Sequence, residues 1–104
     1  MAKAGEMLEY LIRGDDGEPD LGIRSDAIAP TLTPRRWNAV PIEGWGSYRL
    51  RIDSTEVSFS DEAGSGWQVA FEGDIDEAKA ATIVEVIARQ LSKFTGRPVV
   101  VVPL

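Results

Sequence analysis

The chain has 104 residues, of which 43% are hydrophobic and 27% charged, a composition that predicts one globular domain with a single core. Acidic residues outnumber basic ones by 17 to 11, and the net charge of −6 disfavours nucleic acid and suits a basic protein as partner, with solubility alone as the simpler alternative. The sequence contains neither cysteine nor histidine, which excludes disulfides, thiolate chemistry and the commonest general base. We therefore expect no metal and no other cofactor.

Residues 1–45 are predicted to form an irregular segment of the domain. The apolar residues of 7–12 fit one face of a short helix that ends at Gly14. They fit equally well a strand that turns through 15–19 and pairs with 21–24, and the sequence leaves both alternatives open. Three prolines in the last twenty residues of the segment permit only short elements there.

Residues 46–73 predict a three-stranded antiparallel meander. Apolar and polar residues alternate in three short runs, which Asp53-Ser54 and the loop 61–66 separate. Alternation places every second residue on the same side of the sheet. The predicted inward face consists of Tyr48, Leu50, Ile52, Val57, Phe59, Trp67, Val69 and Phe71.

Residues 75–95 predict one long amphipathic helix. Asp74 is placed to cap its start, with Glu77 three residues later, and Gly96 is placed to end it. Apolar residues recur at intervals of three and four, which predicts a buried stripe. The stripe consists of Ala80, Ile83, Val84, Ile87, Leu91 and Phe94.

The run Val99–Val102 predicts a final strand. Four consecutive β-branched residues without polar alternation indicate a strand that is covered on both faces or packed tightly beneath the helix. The predicted fold class is therefore α+β, with the order β-β-β-α-β over residues 46–104.

Two acidic loops are candidate partner-binding sites. Loops are exposed and have few duties in building the fold, so their charges are available to a partner. The alternative is that these acids only keep a turn in contact with solvent. The first loop does not have the ligand spacing of a calcium loop. The candidate residues are Asp15, Asp16, Glu18, Asp20, Asp61 and Glu62.

Trp45 is the candidate aromatic anchor of the same interaction. It lies between two glycines just before a predicted strand, where its ring could stay exposed, and exposed tryptophans are frequent at binding hot spots. The alternative is that it covers the edge of the sheet. By contrast, alternation places Trp67 in the core, and Trp37 is expected at the edge of the domain.

Acidic residues near the start of the predicted helix do not require a catalytic interpretation. Glu72, Asp74, Asp76 and Glu77 could form an acid–base pair, but helix starts favour acids because of the free N–H groups and the dipole. No serine has a histidine available as its base. We therefore do not expect an enzyme.

Arg49 and Arg51 alternate with the inward residues of the first strand of the meander and are predicted to point outward. Glu56, Ser58 and Ser60 lie on the outward side of the neighbouring strand. Cross-strand ion pairing is the simpler interpretation, and a recognition surface is the alternative.

A cytoplasmic location is expected. No segment approaches the roughly 18 consecutive apolar residues that a membrane span requires. The opening residues, 1–6, show no apolar signal segment.

The elements of residues 46–104 resemble those of small bacterial immunity proteins from polymorphic and contact-dependent toxin systems. The residues that carry the likeness are Tyr48 to Phe59, Gly66 to Gly73, Ile75 to Phe94 and Gly96 to Val102. The resemblance implies an acidic α+β domain that binds and neutralises a cognate toxin, often a basic nuclease. It is a likeness of architecture, so no functional residue can be transferred. The alternative is a small acidic inhibitor or adaptor of phage or regulatory origin.

These assignments make a kinetic prediction for the partner complex. Neutralising the acids of 15–20 should slow association and reduce its dependence on salt concentration. Charges at the edge of an interface mainly raise the rate at which the two proteins meet. Trp45→Ala should instead speed dissociation, because an anchor acts after docking. Rates measured at low and high salt would test both, and if neither variant changed either rate the contact surface would be elsewhere.

Overall fold

A computed structural model describes residues 8–15, 23, 25–44, 46, 48–62, 66–73 and 75–104. Within them, six antiparallel strands form one sheet in the order β2-β3-β4-β5-β1-β6. The strands are β1 Leu8–Gly14, β2 Ala39–Pro41, β3 Tyr48–Ile52, β4 Thr55–Glu62, β5 Gly66–Gly73 and β6 Val99–Pro103. The helices are α1 Ile28–Leu32, which follows a 3₁₀ turn at Ser25–Ala27, and α2 Glu77–Thr95.

The α+β class with one long helix is confirmed, but the predicted number of strands is wrong. Strands β3, β4 and β5 pair in sequence as a meander. The sheet is wider because the segment predicted to be irregular contributes β1 and β2. Local pattern left β1 open between a helix and a strand, because its partner β5 lies far away in the sequence. Strand β2 was not predicted, because it is only three residues long.

Residues 8–14 form a strand and not a helix. Tyr10, Ile12 and Gly14 are buried, while the residues between them are only half-buried. One side of β1 pairs with β5 and the other with β6, with Ile12 opposite both Trp67 and Val101. The predicted hairpin with 21–24 is therefore wrong, because both hydrogen-bonding sides of β1 are occupied.

The core lies between the sheet and α2, as the alternation pattern predicts. Seven of the eight residues of the predicted inward face are buried, and Tyr48 is half-buried at the end of its strand. The predicted stripe of α2 is also buried, except at Phe94, whose exposed fraction is 54%. The prediction for Phe94 is wrong because its side chain lines a cleft beside α1.

Both ends of α2 are fixed by capping. The helix begins at Glu77, and the side chain of Asp76 accepts a hydrogen bond from the Lys79 N–H at 2.7 Å. Asp76 thus takes the role predicted for Asp74, which lies outside the described residues. Gly96 ends the helix with φ of 72°, a left-handed conformation that glycine adopts without penalty.

Strand β6 lies at an edge of the sheet. Val99 and Val101 pack against the core under α2, whereas Val100 and Val102 lie on the opposite face. All four valines are only half-buried. Of the two alternatives predicted for this run, cover on both faces is wrong, because in the described part of the chain no helix packs on the second face. Packing beneath the helix is confirmed for Val99 and Val101.

Ile87→Ala should destabilise the domain by about 2–5 kcal/mol, because Ile87 is completely buried and its truncation leaves a cavity. The exposed Phe94 on the same helix is the control. Phe94→Ala should change the free energy of unfolding by only about 0.5 kcal/mol. Urea denaturation of both variants measures the difference, and equal losses would contradict the assigned face of α2.

Candidate functional site

Two of the predicted partner-binding acids lie at the same end of the sheet. Asp15 is exposed directly after β1, and its N–H donates to the Pro98 carbonyl at 3.0 Å. Asp61 is exposed near the end of β4. Since β1 and β4 are both antiparallel to β5, they run in the same direction and end on the same side. Ideal sheet spacings of about 4.8 Å between strands and about 3.3 Å per residue correspond to roughly 14 Å between the Cα atoms of the two residues.

The loop between β2 and β3 reaches the same end. Gly46 has φ of 93°, and a Cβ atom there would lie 2.9 Å from the Phe59 carbonyl oxygen of β4. The loop therefore passes within contact distance of β4, two residues from Asp61. We call this region the loop end, defined by Asp15, Asp61 and residues 42–44 and 46.

The remaining predicted partner-binding side chains lie outside the described residues. They are Asp16, Glu18, Asp20 and Trp45, together with the side chain of Glu62, whose backbone ends β4.

Basic groups share the loop end with the acids. The Arg13 side chain is half-buried and donates to the Gly14 carbonyl at 3.4 Å. Lys93 is exposed in the last turn of α2, and Arg97 follows the helix. Asp15 thus lies directly after β1, whereas Lys93 and Arg97 lie at the end of α2 and after it. The prediction that Asp61 belongs to a loop is wrong, because β4 continues through Glu62.

Arg49 organises the face of the sheet opposite α2. Its exposed fraction is only 7%. Its Nη2 lies 2.6 Å and its Nε 3.2 Å from Glu56 Oε1, its Nη1 donates to Ser58 Oγ at 2.6 Å, and Glu72 Oε2 lies 3.7 Å from Nη2. Arg51 adds a longer contact, 3.8 Å from its Nη2 to Glu56 Oε2. The strand register, which pairs Arg49 with Ser58 and Arg51 with Glu56, produces this cross-strand ion pairing.

The Arg49 network also fixes the loop that precedes residue 45. A Cβ atom at Gly44 would overlap the Cδ atom of Arg49, so the backbone lies directly against the guanidinium-bearing side chain. The N–H of Ile42 donates to the Arg49 carbonyl at 3.0 Å. Residues 42–44 of the loop end thus contact Arg49 through both its backbone carbonyl and its buried side chain.

A cleft of about 330 Å³ separates α1 from the last turns of α2. Gln90 spans it by donating from Nε2 to the Thr31 and Thr33 carbonyls at 3.1 and 2.8 Å and by accepting from the Arg35 N–H at 3.0 Å. These bonds attach α1 to α2. The lining residues are Pro30, Thr31, Arg35, Gln90, Lys93 and Phe94, which include no carboxylate.

The structure does not join Glu72 with the acids at the start of α2. Glu72 approaches Arg49 on the face opposite α2, whereas Asp76 caps the helix and Glu77 is exposed. Among the described residues, no group of three acidic side chains could hold a metal ion. None of the described helices is long and apolar enough to cross a membrane.

Sequence reasoning identified the Arg49 pairing only as one of two alternatives, and it missed Gln90 completely. Alternation places Arg49, Glu56 and Glu72 on one face, so the pairing had a local signal. Gln90 had none, because its partners lie more than fifty residues away along the chain.

Comparison of the chain with protein-family models, with curated protein sequences and with solved structures finds no significant match.

Glu56→Gln should lower stability at neutral pH, and the loss should disappear in acid. Hydrogen bonding to Arg49 holds the pKa of the Glu56 carboxyl below its usual range. The ionised carboxylate therefore stabilises the fold above the pKa of the unfolded chain, and this contribution is lost as pH falls through the lower folded pKa. Denaturation at pH 7 and near pH 3 (roughly one unit below a free glutamate) measures the difference.

The control for this pH effect is Glu43→Gln, which removes one exposed acid from the loop before residue 45. It should leave stability nearly unchanged at both pH values. A Glu56→Gln loss that persisted in acid would show that the side chain acts through packing and not through its charge.

Proposed function

We propose that this chain is a non-catalytic binding protein of the immunity type, which neutralises a basic toxin domain by docking its loop end against it. The observation that carries the proposal is the convergence of separate segments on one end of the sheet. Asp15 follows β1, Asp61 lies near the end of β4, and residues 42–44 and 46 belong to the connection between β2 and β3.

Electrostatics supports a basic partner. The chain carries a net charge of −6, and Asp15 and Asp61 are both exposed on the loop end. Long-range attraction of this kind raises association rates more than it raises final affinity. Such an inhibitor would act in the cytoplasm, where it would protect the cell that makes the toxin.

The arrangement of the loop end suits an inhibitor because part of it is held in place before binding. The Arg49 network fixes the path of residues 42–44, and Asp15 is tied to β6 through the Pro98 carbonyl. A surface that needs little ordering on binding loses less conformational entropy, which favours tight complexes.

The test pairs this chain with the toxin domain encoded beside its gene. Co-expression should restore growth, and the purified proteins should form a complex. The variant Asp15→Asn/Asp61→Asn should slow association several-fold at low salt, with the difference shrinking at high salt.

The matched control is Asp53→Asn/Glu77→Gln, which makes the same charge change at the opposite end of the sheet, in the β3–β4 turn and at the start of α2. It should slow association much less. Equal slowing by both pairs would mean that net charge alone matters and that the loop end is not the docking surface. A neighbouring gene from a phage or a regulatory operon, with no toxin bound, would overturn the toxin assignment.

A further inference from the structure

The outer side of β6 presents backbone groups that no other strand of the described residues pairs with. The Asp15 N–H donates to the Pro98 carbonyl, and the Leu104 N–H donates to the Glu9 carbonyl at 2.9 Å. Along an antiparallel strand, the N–H and C=O groups of successive residues point alternately to one side and the other. In residues 98–104, the backbone groups of the even-numbered residues therefore point toward β1. The N–H and C=O groups of Val99 and Val101 therefore point away from the sheet, where the described part of the chain supplies no further strand.

Helix α2 forms a wall beside this edge. A groove runs between the helix and β6, and it is lined on the helix side by Glu85, Ala88, Arg89 and Ser92. These four residues are spaced at intervals of three, one and three, so they form a single stripe. The strand side is lined by Pro98, Val99, Val100 and Val101.

The two edges of the sheet are not equivalent. The opposite edge strand, β2, has three residues and ends in Pro41, and such short, proline-containing edges resist pairing with another chain. In β6, proline occurs only at the last position, 103, and four valines precede it. Long β-branched edges without charge pair readily with a further strand.

We propose that a second copy of this chain docks on β6, so that two sheets join across a two-fold axis into one continuous antiparallel sheet. The charges on the groove wall argue for this occupant. The stripe carries one acid and one base, Glu85 and Arg89, one helical turn apart and both exposed. A surface that carries both signs is complementary to itself when a two-fold axis reverses it, as an isologous interface requires.

The positions of Glu85 and Arg89 along the direction of β6 fit that symmetry. Ser92 Oγ donates to the Arg97 carbonyl at 2.6 Å, which places Ser92 beside the start of β6. Since α2 runs antiparallel to β6, Arg89 and then Glu85 lie farther along, over the middle of the strand. A two-fold axis that passes between these two positions brings Glu85 of each copy opposite Arg89 of the other. Ala88 lies between them and leaves space for the helices to approach.

The backbone of β6 supports the same axis. When the axis passes at Val100, Val99 of one copy lies opposite Val101 of the other, and every outward N–H of these residues finds a carbonyl. When the axis passes at Val101, Val99 of one copy pairs with Pro103 of the other. Proline has no backbone N–H, so this register has only one hydrogen-bond donor fewer per copy. Both registers pair the outward N–H groups of Val99 and Val101, for which the described residues supply no further strand.

Sedimentation equilibrium of the full chain tests the proposal. The wild-type chain should show a concentration-dependent mass approaching twice its 11.3 kDa. Val101→Pro should be monomeric, because it removes an outward N–H but no hydrogen bond to β1. Glu85→Arg should weaken the dimer about tenfold or more, and Glu85→Arg/Arg89→Glu should restore it, because the exchange recreates opposite charges across the axis.

Amide exchange gives a readout that does not depend on any variant folding. Exchange at Val99 and Val101 should slow as protein concentration rises, whereas the amides that face β1 should not respond. A wild-type chain that stays monomeric at every concentration would overturn the proposal. A dimer that neither Val101→Pro nor Glu85→Arg weakens would also overturn it. The proposal is independent of toxin binding, which the loop-end variants test separately.

Discussion

The fold depends on the insertion of β1 between β5 and β6. Without this strand, β6 would have no neighbour in the sheet, because the meander β3–β4–β5 ends at β5 and the chain continues into α2. Ile12 packs in the same core layer as Trp67 and Val101, and so connects the meander to the final strand. The position of β1 also places Asp15 at the end of the sheet that carries Asp61, and it leaves β6 as the outermost strand.

Local pattern predicted the elements whose neighbours follow in sequence. The alternation of Tyr48, Leu50 and Ile52 and the turn at Asp53 give β3 and β4 their faces and register, and α2 is long enough for its periodicity to be clear. Strand β1 was ambiguous, because seven residues are too few to separate periods of 2 and 3.6 and its partners lie more than fifty residues away. The valines of β6 indicated burial because β-branched runs are typical of covered strands, but a strand's neighbours decide its exposure.

The candidate site was predictable in part for the same reason. Composition identified the acids of the loops, but only the topology shows that Asp15 and Asp61 emerge on the same side. The buried position of Arg49 could not be predicted from alternation, which assigns it to the solvent side of β3. Burial there results from the carboxylates of the neighbouring strands and from the glycine backbone at 44, which together surround the guanidinium group.

The two proposed surfaces are compatible, and together they set the stoichiometry of a complex. A two-fold axis normal to the sheet at the centre of β6 reverses the strand direction, so the loop end of one copy lies beside the opposite end of the other. The two loop ends therefore point in opposite directions, and each can hold its own partner without steric conflict. One compact toxin domain could not contact both loop ends, so dimerisation would add no avidity toward a single toxin. It would instead cover the open edge at β6, which protects a valine-rich strand from pairing with unrelated chains.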